Sequence, residues 1–310
     1  MIRTKSLLVA LLCGAARLSA QQPAAPPEVR AEWRSLIGDY VAGDSVIYIA
    51  EVNGALKLRP GLFTSINLPD PRVQLSPHEL VYTGRRYARR DAAQGTFRIT
   101  PVRPVQALRA EALAARPPAQ PDTLLAADLV ELRSLEPTIR YDIRYATTNN
   151  FMSSVFYSQA RAFLQRPAAE ALVRAHHKLS ELGYGLLIHD AYRPWYVTKM
   201  FWDATPQEFK DFVADPSRGS RHNRGAAVDL TLYRLDSGEP VEMVGGYDEF
   251  SNRSYPDYPG GTALQRWHRE LLRVAMEAEG FTVYDVEWWH FDYDDWRRYR
   301  IGNVTFDRLR

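Results

Sequence analysis

Short runs of β-branched and aromatic residues alternate with turn residues in the first third of the chain. The runs SVIYIAEV, ELVYTG and TFRITPV each have the composition of a strand, and the turn NGALKL follows the first of them. This pattern predicts a small, all-β antiparallel module over residues 31–106. Its single histidine, His78, has no catalytic partner nearby in the sequence, so we expect a binding or spacing unit.

The hydrophobic pattern changes after residue 121. AAEALVRAHHKLSELG repeats apolar residues at helical spacing and ends in glycine, which is typical of a helix C-terminus. YGLLIHDAYRP predicts a buried strand that turns at Pro194, and AAVDLTLY predicts another strand. TPQEFKDFVADP indicates a short helix, TALQRWHRELLRVAMEAEGF a long amphipathic helix, and FTVYDVEWWHFDY a closing strand. We therefore predict an α+β domain over residues 122–310, with a small antiparallel sheet flanked by helices.

Two segments rich in proline and alanine separate these units, at residues 21–30 and 107–121. Both are predicted linkers, and part of the second is expected to be helical until the prolines end it. The first 20 residues combine the basic start MIRTK with a short apolar core and a small-residue cleavage site at Ala20. Because this core is too short to span a bilayer, it predicts a removed signal peptide. We expect a secreted, periplasmic protein without stable membrane insertion.

The net charge and the cysteine content of the chain limit the kinds of binding partner and of catalytic chemistry that we expect. The chain has 310 residues and a formal net charge of +2, which favours neither a nucleic-acid nor a membrane-surface partner. The arginine-rich stretch GRRYARR is expected to be a solvated loop, because neighbouring segments do not extend its charge. The one cysteine, Cys13, lies in the predicted signal peptide. The mature chain would then have no disulfide, no thiol nucleophile and no sulfur ligand for a metal.

Two stretches contain candidate metal ligands. His222 and Asp229 stand seven positions apart in SRHNRGAAVDL, with a glycine-bearing turn between them and a strand at the aspartate. Nitrogen and oxygen donors suit zinc, and a catalytic zinc typically takes three protein ligands and a water. The third candidate is His290 in VEWWHFDY, where Glu287 converges with it only if the strand bends, bulges or ends. On the residues alone, a metal site and ordinary structural side chains both remain open.

The other helical histidines are weaker candidates. His176 and His177 are adjacent on a predicted helix, and adjacent helix positions cannot face one metal together. We expect these two and His268 at the surface or in the core.

Four blocks occur in the order IRYATTNNF, GYGLLIHDAYRP, SRHNRGAAVDLTL and EWWHF. Together they resemble the zinc D-alanyl-D-alanine dipeptidases of the VanX type, relatives of VanY-type carboxypeptidases and of the hedgehog signalling domain. The resemblance spans about residues 129–299 and does not reach the β-module. It implies one zinc ion per catalytic domain, held by His222, Asp229 and His290.

The same resemblance implies roles for further residues. Glu287 would be the catalytic base, and Arg193 in DAYRP would stabilise the transition state. Without the resemblance, a structural salt bridge from Arg193 to Asp190 would be the favoured interpretation. Two features depart from the family pattern: His189, directly before DAYRP, and the appended N-terminal module. These departures affect the expected range of substrates more than the expected chemistry.

The resemblance further implies a small D,D-dipeptide substrate, hydrolysed to two D-alanines in cell-wall peptide metabolism. Tyr145, Ser220 and Asp248 would contact it, with Asp248 near the amine end, although each could equally cap a turn or fill the core. Two alternatives stay open. One is a D,D-carboxypeptidase acting on peptidoglycan stem peptides. The other is a non-catalytic cell-wall-binding protein that uses a degenerate peptidase scaffold.

Overall fold

The computed structural model describes residues 24–61, 64–90, 98–249 and 251–309. The predicted signal peptide over residues 1–20 lies outside the described residues, as does the start of the linker at 21–30. Within the described ranges, no helix is both long enough and apolar enough to cross a membrane.

A short helix and seven antiparallel strands build the N-terminal unit. These elements are α1 Ala31–Arg34, β1 Gly38–Ala42, β2 Ser45–Val52, β3 Ala55–Arg59, β4 Ile66–Asn67, β5 Val73–Leu75, β6 Glu79–Tyr82 and β7 Arg85–Arg90. The strands form one sheet in the order β4–β3–β2–β1–β7–β6–β5. Successive side chains of a strand point to opposite faces, so alternate residues such as Tyr40, Ile49 and Leu58 form a small buried core.

Two local predictions for this unit were wrong. The arginine-rich stretch expected to be a loop forms β7, because its backbone pairs with β1 and β6 while most of its arginines face outward. Only Tyr87 is buried in that strand. The strand expected in TFRITPV does not form over its described residues, 98–102. There Ile99 instead packs into the core of the second unit.

The second unit is mixed α/β, with antiparallel sheets and helices. Its helices are α2 Val105–Ala114, α3 Leu132–Leu135, α4 Arg166–Ser180, α5 Trp195–Ala204 and α6 Ala263–Glu277. Its strands are β8 Leu129–Glu131, β9 Arg140–Tyr141, β10 Phe163–Gln165, β11 Tyr184–Asp190, β12 Ala227–Arg234, β13 Phe281–Tyr284 and β14 Glu287–Tyr293. Short 3₁₀ helices lie at Arg144–Ala146, Gln207–Phe212, His222–Arg224, Asn252–Ser254, Trp296–Arg298 and Phe306–Arg308.

The main sheet has the strand order β13–β14–β12–β11–β9, and β8 pairs separately with β10. All pairs in the main sheet are antiparallel except β11 with β9. The helices α4 and α6 contact each other and pack on this sheet. In β12 the apolar residues Val228 and Leu230 alternate with Asp229, so the carboxylate points to the opposite face from these two.

The segment predicted as the second linker, residues 107–121, is helical as far as Ala114. Leu108 and Ala112 are fully buried because α2 packs against α5 of the second unit. Their spacing of four residues places both side chains on one helix face. The packing of the second unit therefore begins well before residue 122, the predicted boundary.

Two further elements differ from the sequence predictions. FTVYDVEWWHFDY forms a hairpin of β13 and β14, with its turn at Asp285 and Val286, rather than one closing strand. The helix α5 was not predicted, because its buried residues lie on most of its surface and give no amphipathic period. These residues are Trp195, Tyr196, Val197, Thr198, Met200, Phe201 and Ala204.

Candidate active site

Polar side chains lie in a row across the middle of the main sheet. Asp190 in β11 stands opposite Asp229 in β12, and Asp229 stands opposite His290 in β14. Residues directly opposite each other on neighbouring strands share a face of the sheet. The register of the sheet therefore brings together Asp190 and His290, which are 100 positions apart in the chain.

Gly225 makes the turn that adds His222 to this row. His222 lies in the 3₁₀ helix His222–Arg224, and Gly225 ends that helix with a left-handed φ of 64°. Glycine suits this backbone conformation, and a Cβ here would lie 2.4 Å from Leu129 Cδ2, so the leucine side chain would have to move. The chain then enters β12 with Asp229 directed toward His222.

Three donor atoms from His222, Asp229 and His290 face one another. His222 Nε2 lies 3.2 Å from His290 Nδ1 and 3.4 Å from Asp229 Oδ1, and the last two atoms are 2.9 Å apart. A tetrahedral ion with bonds of about 2.0–2.1 Å holds its ligand atoms ~3.3 Å apart. All three residues are buried. The triangle thus has the donor types and the size to hold one zinc-like divalent ion.

Hydrogen bonds behind the triangle orient these donor atoms. His222 Nδ1 lies 2.8 Å from Ala191 O, and His290 Nε2 lies 3.0 Å from Asp292 Oδ1. Both partners are acceptors, so we assign the N–H to these outer nitrogens, which leaves a lone pair on each inner nitrogen. Tyr247 donates its hydroxyl to Asp229 Oδ2 at 3.0 Å, which leaves Oδ1 facing the imidazoles.

Sequence analysis missed Asp292 and Tyr247. A signal for Asp292 was present, because it stands two residues after His290 in a strand and so shares its face. It is also held by Arg221, at 3.0 Å between Nη1 and Oδ2. Tyr247 lies in an irregular segment, and local sequence pattern carries no signal for its position.

We expect Asp292→Asn to weaken metal binding about 10–100-fold, the usual effect of removing a carboxylate behind a histidine ligand. The amide can present its NH₂ group or its oxygen to His290, but it no longer attracts the Nε2 proton as an anion does. Competition with a fluorescent chelator measures the affinity. Asp294→Asn, an exposed neighbour on the same hairpin, is the control. Equal affinities for the two variants would contradict the orienting role.

Glu287 reaches the same cluster because the hairpin is irregular. The pairing of β13 with β14 shifts between Val283 and Tyr284, which supplies the bulge that the sequence argument required. Glu287 Oε2 lies 3.8 Å from His290 Nδ1, and the side chain remains 29% exposed. Burial raises the pKa of Glu287, with a contribution in the same direction from Asp229, while His290 opposes it.

Arg193 forms the salt bridge that was the alternative reading of this residue. Its Nε and Nη2 donate to Asp190 Oδ2 at 2.9 and 2.8 Å. Burial, the largest single influence, lowers the pKa of the guanidinium, but Asp190 together with Tyr145, Tyr157 and Asp229 raises it well above its ordinary value. The backbone N–H of Arg193 also donates to His222 O at 3.1 Å. The charge of Arg193 lowers the pKa of Glu287, so the salt bridge lies within electrostatic reach of the residue next to the three candidate ligands.

Two of the three predicted substrate contacts lie together. The Tyr145 hydroxyl donates to Asp248 Oδ2 at 3.2 Å, and both residues are buried. Burial, Asp229 and Glu287 together raise the pKa of Asp248 well above its ordinary value. Ser220 accepts a hydrogen bond from the backbone N–H of His222 at 3.2 Å, so its hydroxyl helps to form the turn that carries this histidine.

The remaining histidines and the tryptophans have structural surroundings. His176 is buried and accepts the backbone N–H of Leu186, while His177 is exposed next to Glu136. His268 is buried beside a backbone carbonyl. Trp288 and Trp289 are both buried in the main core.

The sequence profile of the peptidase M15 family, described as D-Ala-D-Ala dipeptidase, matches residues 125–300. The chain belongs to this family. It is therefore an enzyme, a metallopeptidase. The match contains every site residue predicted from the sequence and begins after β1–β7, which end at Arg90.

Three D-alanyl-D-alanine dipeptidases are similar to this peptidase over about half of its chain. The protein of Escherichia coli (strain K12) is 36% identical over 165 residues, which is 53% of this chain and 84% of the relative. That of Enterococcus faecium is 36% identical over 174 residues, 49% of this chain and 85% of the relative. That of Streptomyces coelicolor is 35% identical over 185 residues, 53% of this chain and 90% of the relative.

Proposed function

We propose that this peptidase hydrolyses free D-alanyl-D-alanine to two D-alanines, using one zinc ion held by His222, Asp229 and His290. The observation that carries the proposal is the triangle of inward-facing donor atoms with Glu287 next to it. The similarity to three D-alanyl-D-alanine dipeptidases supports the choice of substrate. We further propose that the reaction serves cell-wall peptide metabolism, with peptidoglycan fragments as related partners.

Two imidazole nitrogens and one carboxylate oxygen are a donor set of the catalytic type, in which three protein ligands leave a coordination position open. When bound, zinc supplies Lewis acidity, which polarises a carbonyl group and lowers the pKa of water. A closed structural site would need a fourth protein ligand. Within the described residues, the group of potential ligands at this point consists of these three.

Glu287 is proposed to move the proton. Its carboxylate lies beside the ligand triangle and is partly exposed, so it can contact both a water molecule and a peptide nitrogen. In our proposal it removes a proton from the attacking water and delivers that proton to the leaving amine of the scissile peptide bond. Arg193 is proposed to stabilise the negative charge that develops on the carbonyl oxygen.

We expect Arg193→Lys to lower kcat about 10²-fold, because one charged donor to the oxyanion is worth ~3 kcal/mol. Lysine keeps the charge but cannot reproduce the planar contact that Arg193 makes with Asp190 through two nitrogens. Steady-state kinetics measure kcat and KM. The matched control is Arg161→Lys, another arginine that is paired with a carboxylate, Glu131, and stacked on a ring. A kcat within threefold of the wild type would contradict the assigned role.

Asp248 is proposed to bind the ammonium group of the free dipeptide. It is a buried carboxyl group beside Tyr145 and within electrostatic reach of the proposed ligand Asp229 and base Glu287. An enzyme that uses this contact should prefer a free amine to an acylated one. Release of D-alanine from D-Ala-D-Ala and from an N-acylated tripeptide ending in D-Ala-D-Ala tests the proposal. Preference for the acylated substrate would favour a D,D-carboxypeptidase, and zinc binding without turnover would favour a binding protein.

We also propose that the protein is secreted to the periplasm. The support is the pattern of charge, apolar core and small residues in the first 20 positions. N-terminal sequencing of the exported protein is expected to find Gln21 as the first residue. Retention of the full-length chain in the cytoplasm would contradict this proposal.

A further inference from the structure

The N-terminal sheet, β1–β7, contacts the second unit along the connection between β12 and α6. We call residues 241–262 of this connection the site loop; the structure describes all of them except residue 250. The site loop carries Tyr247, which bonds the carboxylate of Asp229, and Asp248, which bonds Tyr145. Apart from the 3₁₀ helix Asn252–Ser254, its described residues form neither helix nor strand. Its conformation therefore depends on contacts with other segments.

Backbone pairing joins the sheet to the end of the site loop. Ala50 in β2 forms a parallel β-bridge with Gly261, and the N–H of Glu51 donates to Gly261 O at 3.2 Å. From β3, the Arg59 side chain donates to Pro259 O at 3.0 Å. Two neighbouring strands of the sheet thus hold Pro259 and Gly261, which stand two positions apart in the site loop.

Two buried carboxylates of the N-terminal sheet form further hydrogen bonds with the end of the site loop and the start of α6. Asp39 in β1 is 5% exposed and accepts the hydroxyl hydrogen of Tyr258. Glu51 is 4% exposed and accepts the backbone N–H of Ala263, the first residue of α6, at 2.7 Å. Burying a carboxylate costs several kcal/mol unless hydrogen bonds compensate. Each of these carboxylates therefore stabilises the docked position of the loop and disfavours others.

Backbone hydrogen bonds join the docked end of the site loop to its 3₁₀ helix, since the N–H of Tyr258 donates to Tyr255 O at 3.1 Å and that of Tyr255 to Asn252 O at 3.3 Å. Polar contacts of Arg253, in the same helix, continue toward Asp248. Arg253 donates to Val244 O at 3.0 Å and lies 3.3 Å from the carboxylate of Glu249. Glu249 in turn accepts the N–H of Gly246 at 2.7 Å. Between these points Asp248 has a left-handed φ of 56°, a conformation that is uncommon for residues other than glycine.

From these contacts we infer that the N-terminal sheet positions the site loop, and with it Asp248, so that the enzyme prefers substrates with a free amine. This inference rests on the proposed function, in which Asp248 binds that amine. Asp39, Glu51 and Tyr258 are then positioning residues, which act on the substrate only through the loop. The sheet is a part of the substrate-selecting structure and not only a spacing unit.

The test compares Asp39→Ala with Asp39→Asn in the full-length, metal-loaded enzyme. The asparagine keeps an oxygen that accepts the Tyr258 hydroxyl, and alanine removes it. We expect Asp39→Ala to raise KM for free D-Ala-D-Ala, with kcat changed less. The preference in kcat/KM for this dipeptide over its N-acetyl form should fall about tenfold, less than the ~10²-fold cost of misplacing a catalytic group. Asp39→Asn should stay close to the wild type.

Tyr258→Phe provides a second variant if Asp39→Ala does not fold, since it removes only the hydroxyl group of the same contact. Arg86→Ala, which removes an exposed ion pair with Glu79 elsewhere in the sheet, is the control. In an Asp248→Asn background, Asp39→Ala should cause no further loss of preference, because both changes act on one contact. An unchanged preference in Asp39→Ala and Tyr258→Phe, or an additive loss in the double variant, would overturn the inference.

Hydrogen exchange supplies a readout that does not depend on turnover. Peptides from the site loop should exchange faster in Asp39→Ala than in Asp39→Asn, while peptides from α4 should be unchanged. Equal exchange in the loop would overturn the inference. If the wild type hydrolysed no D,D-peptide, the proposed function would fail, and the exchange result alone would decide whether the sheet holds the loop.

Discussion

Replacing Glu287 by alanine is expected to lower kcat for D-Ala-D-Ala by about 10²–10⁴-fold, the usual contribution of a general acid–base group. Glu287 is the carboxylate that stands next to the proposed ligands, 3.8 Å from His290 Nδ1, while its own side chain stays partly exposed. In our proposal, the attacking water of the alanine variant would have to lose its proton to bulk solvent, because the carboxylate of Glu287 is missing. The leaving amine would also lack a positioned proton donor. Since Glu287 is not one of the three ligands, the variant should still bind one zinc ion per chain.

Steady-state kinetics and metal analysis of the same preparation check both parts of this expectation. Asp285→Ala is the matched control, because Asp285 is an exposed acidic residue in the turn of the same hairpin. It should keep both metal and turnover. A Glu287→Ala enzyme with near wild-type kcat would rule out this residue as the base. Loss of metal together with turnover would instead place Glu287 among the ligands.

Replacing His222 or His290 by alanine is expected to remove stoichiometric zinc and to lower turnover by more than about 10³-fold, since a Lewis acid supplies several kcal/mol to the transition state. Each variant leaves only two ligands, and it also leaves the Asp229 carboxylate buried with one of its two histidine neighbours missing. Chelator treatment of the wild type should have the same effect on turnover, and added zinc should restore it. The same zinc concentration should not restore the turnover of either variant.

His177→Ala is the control for these variants, because His177 is an exposed histidine that pairs with Glu136 away from the cluster. Its zinc content and turnover should match the wild type. Circular dichroism and melting temperature show whether the ligand variants are folded. A folded His222→Ala or His290→Ala enzyme with full zinc content would contradict the proposed ligand set.

Local sequence pattern predicted the main helices and strands of the second unit because their periodicity follows from burial on one or both faces. It located α4, α6, β11 and β12, whose apolar residues repeat at the spacing of their own element. It failed for α5, which is buried on most of its surface, and for β7, where backbone pairing decides the structure of a strongly charged segment. Hydrogen bonding to neighbouring strands does not depend on outward side chains.

The identities of the candidate site residues came from the sequence, through four motifs similar to one family. Their convergence required tertiary structure. A regular strand places Glu287 and His290 on opposite faces, and only the shifted pairing of β13 with β14 brings them to one cluster. The contact between Asp292 and His290 could be predicted, because residues two apart in a strand share a face. The hydrogen bond from Tyr247 to Asp229 could not be predicted from any local pattern.

What the sequence by itself determined was a set of donor residues, the elements that carry most of them and the family to which they belong. Only the tertiary structure decided how the N-terminal sheet meets the site loop. Glu51 and Ala263 are 212 positions apart, and the hydrogen bond between them leaves no periodic trace in either segment. Local patterns indicate which face of a helix or strand is buried. Which other element covers that face depends on the packing of the whole chain.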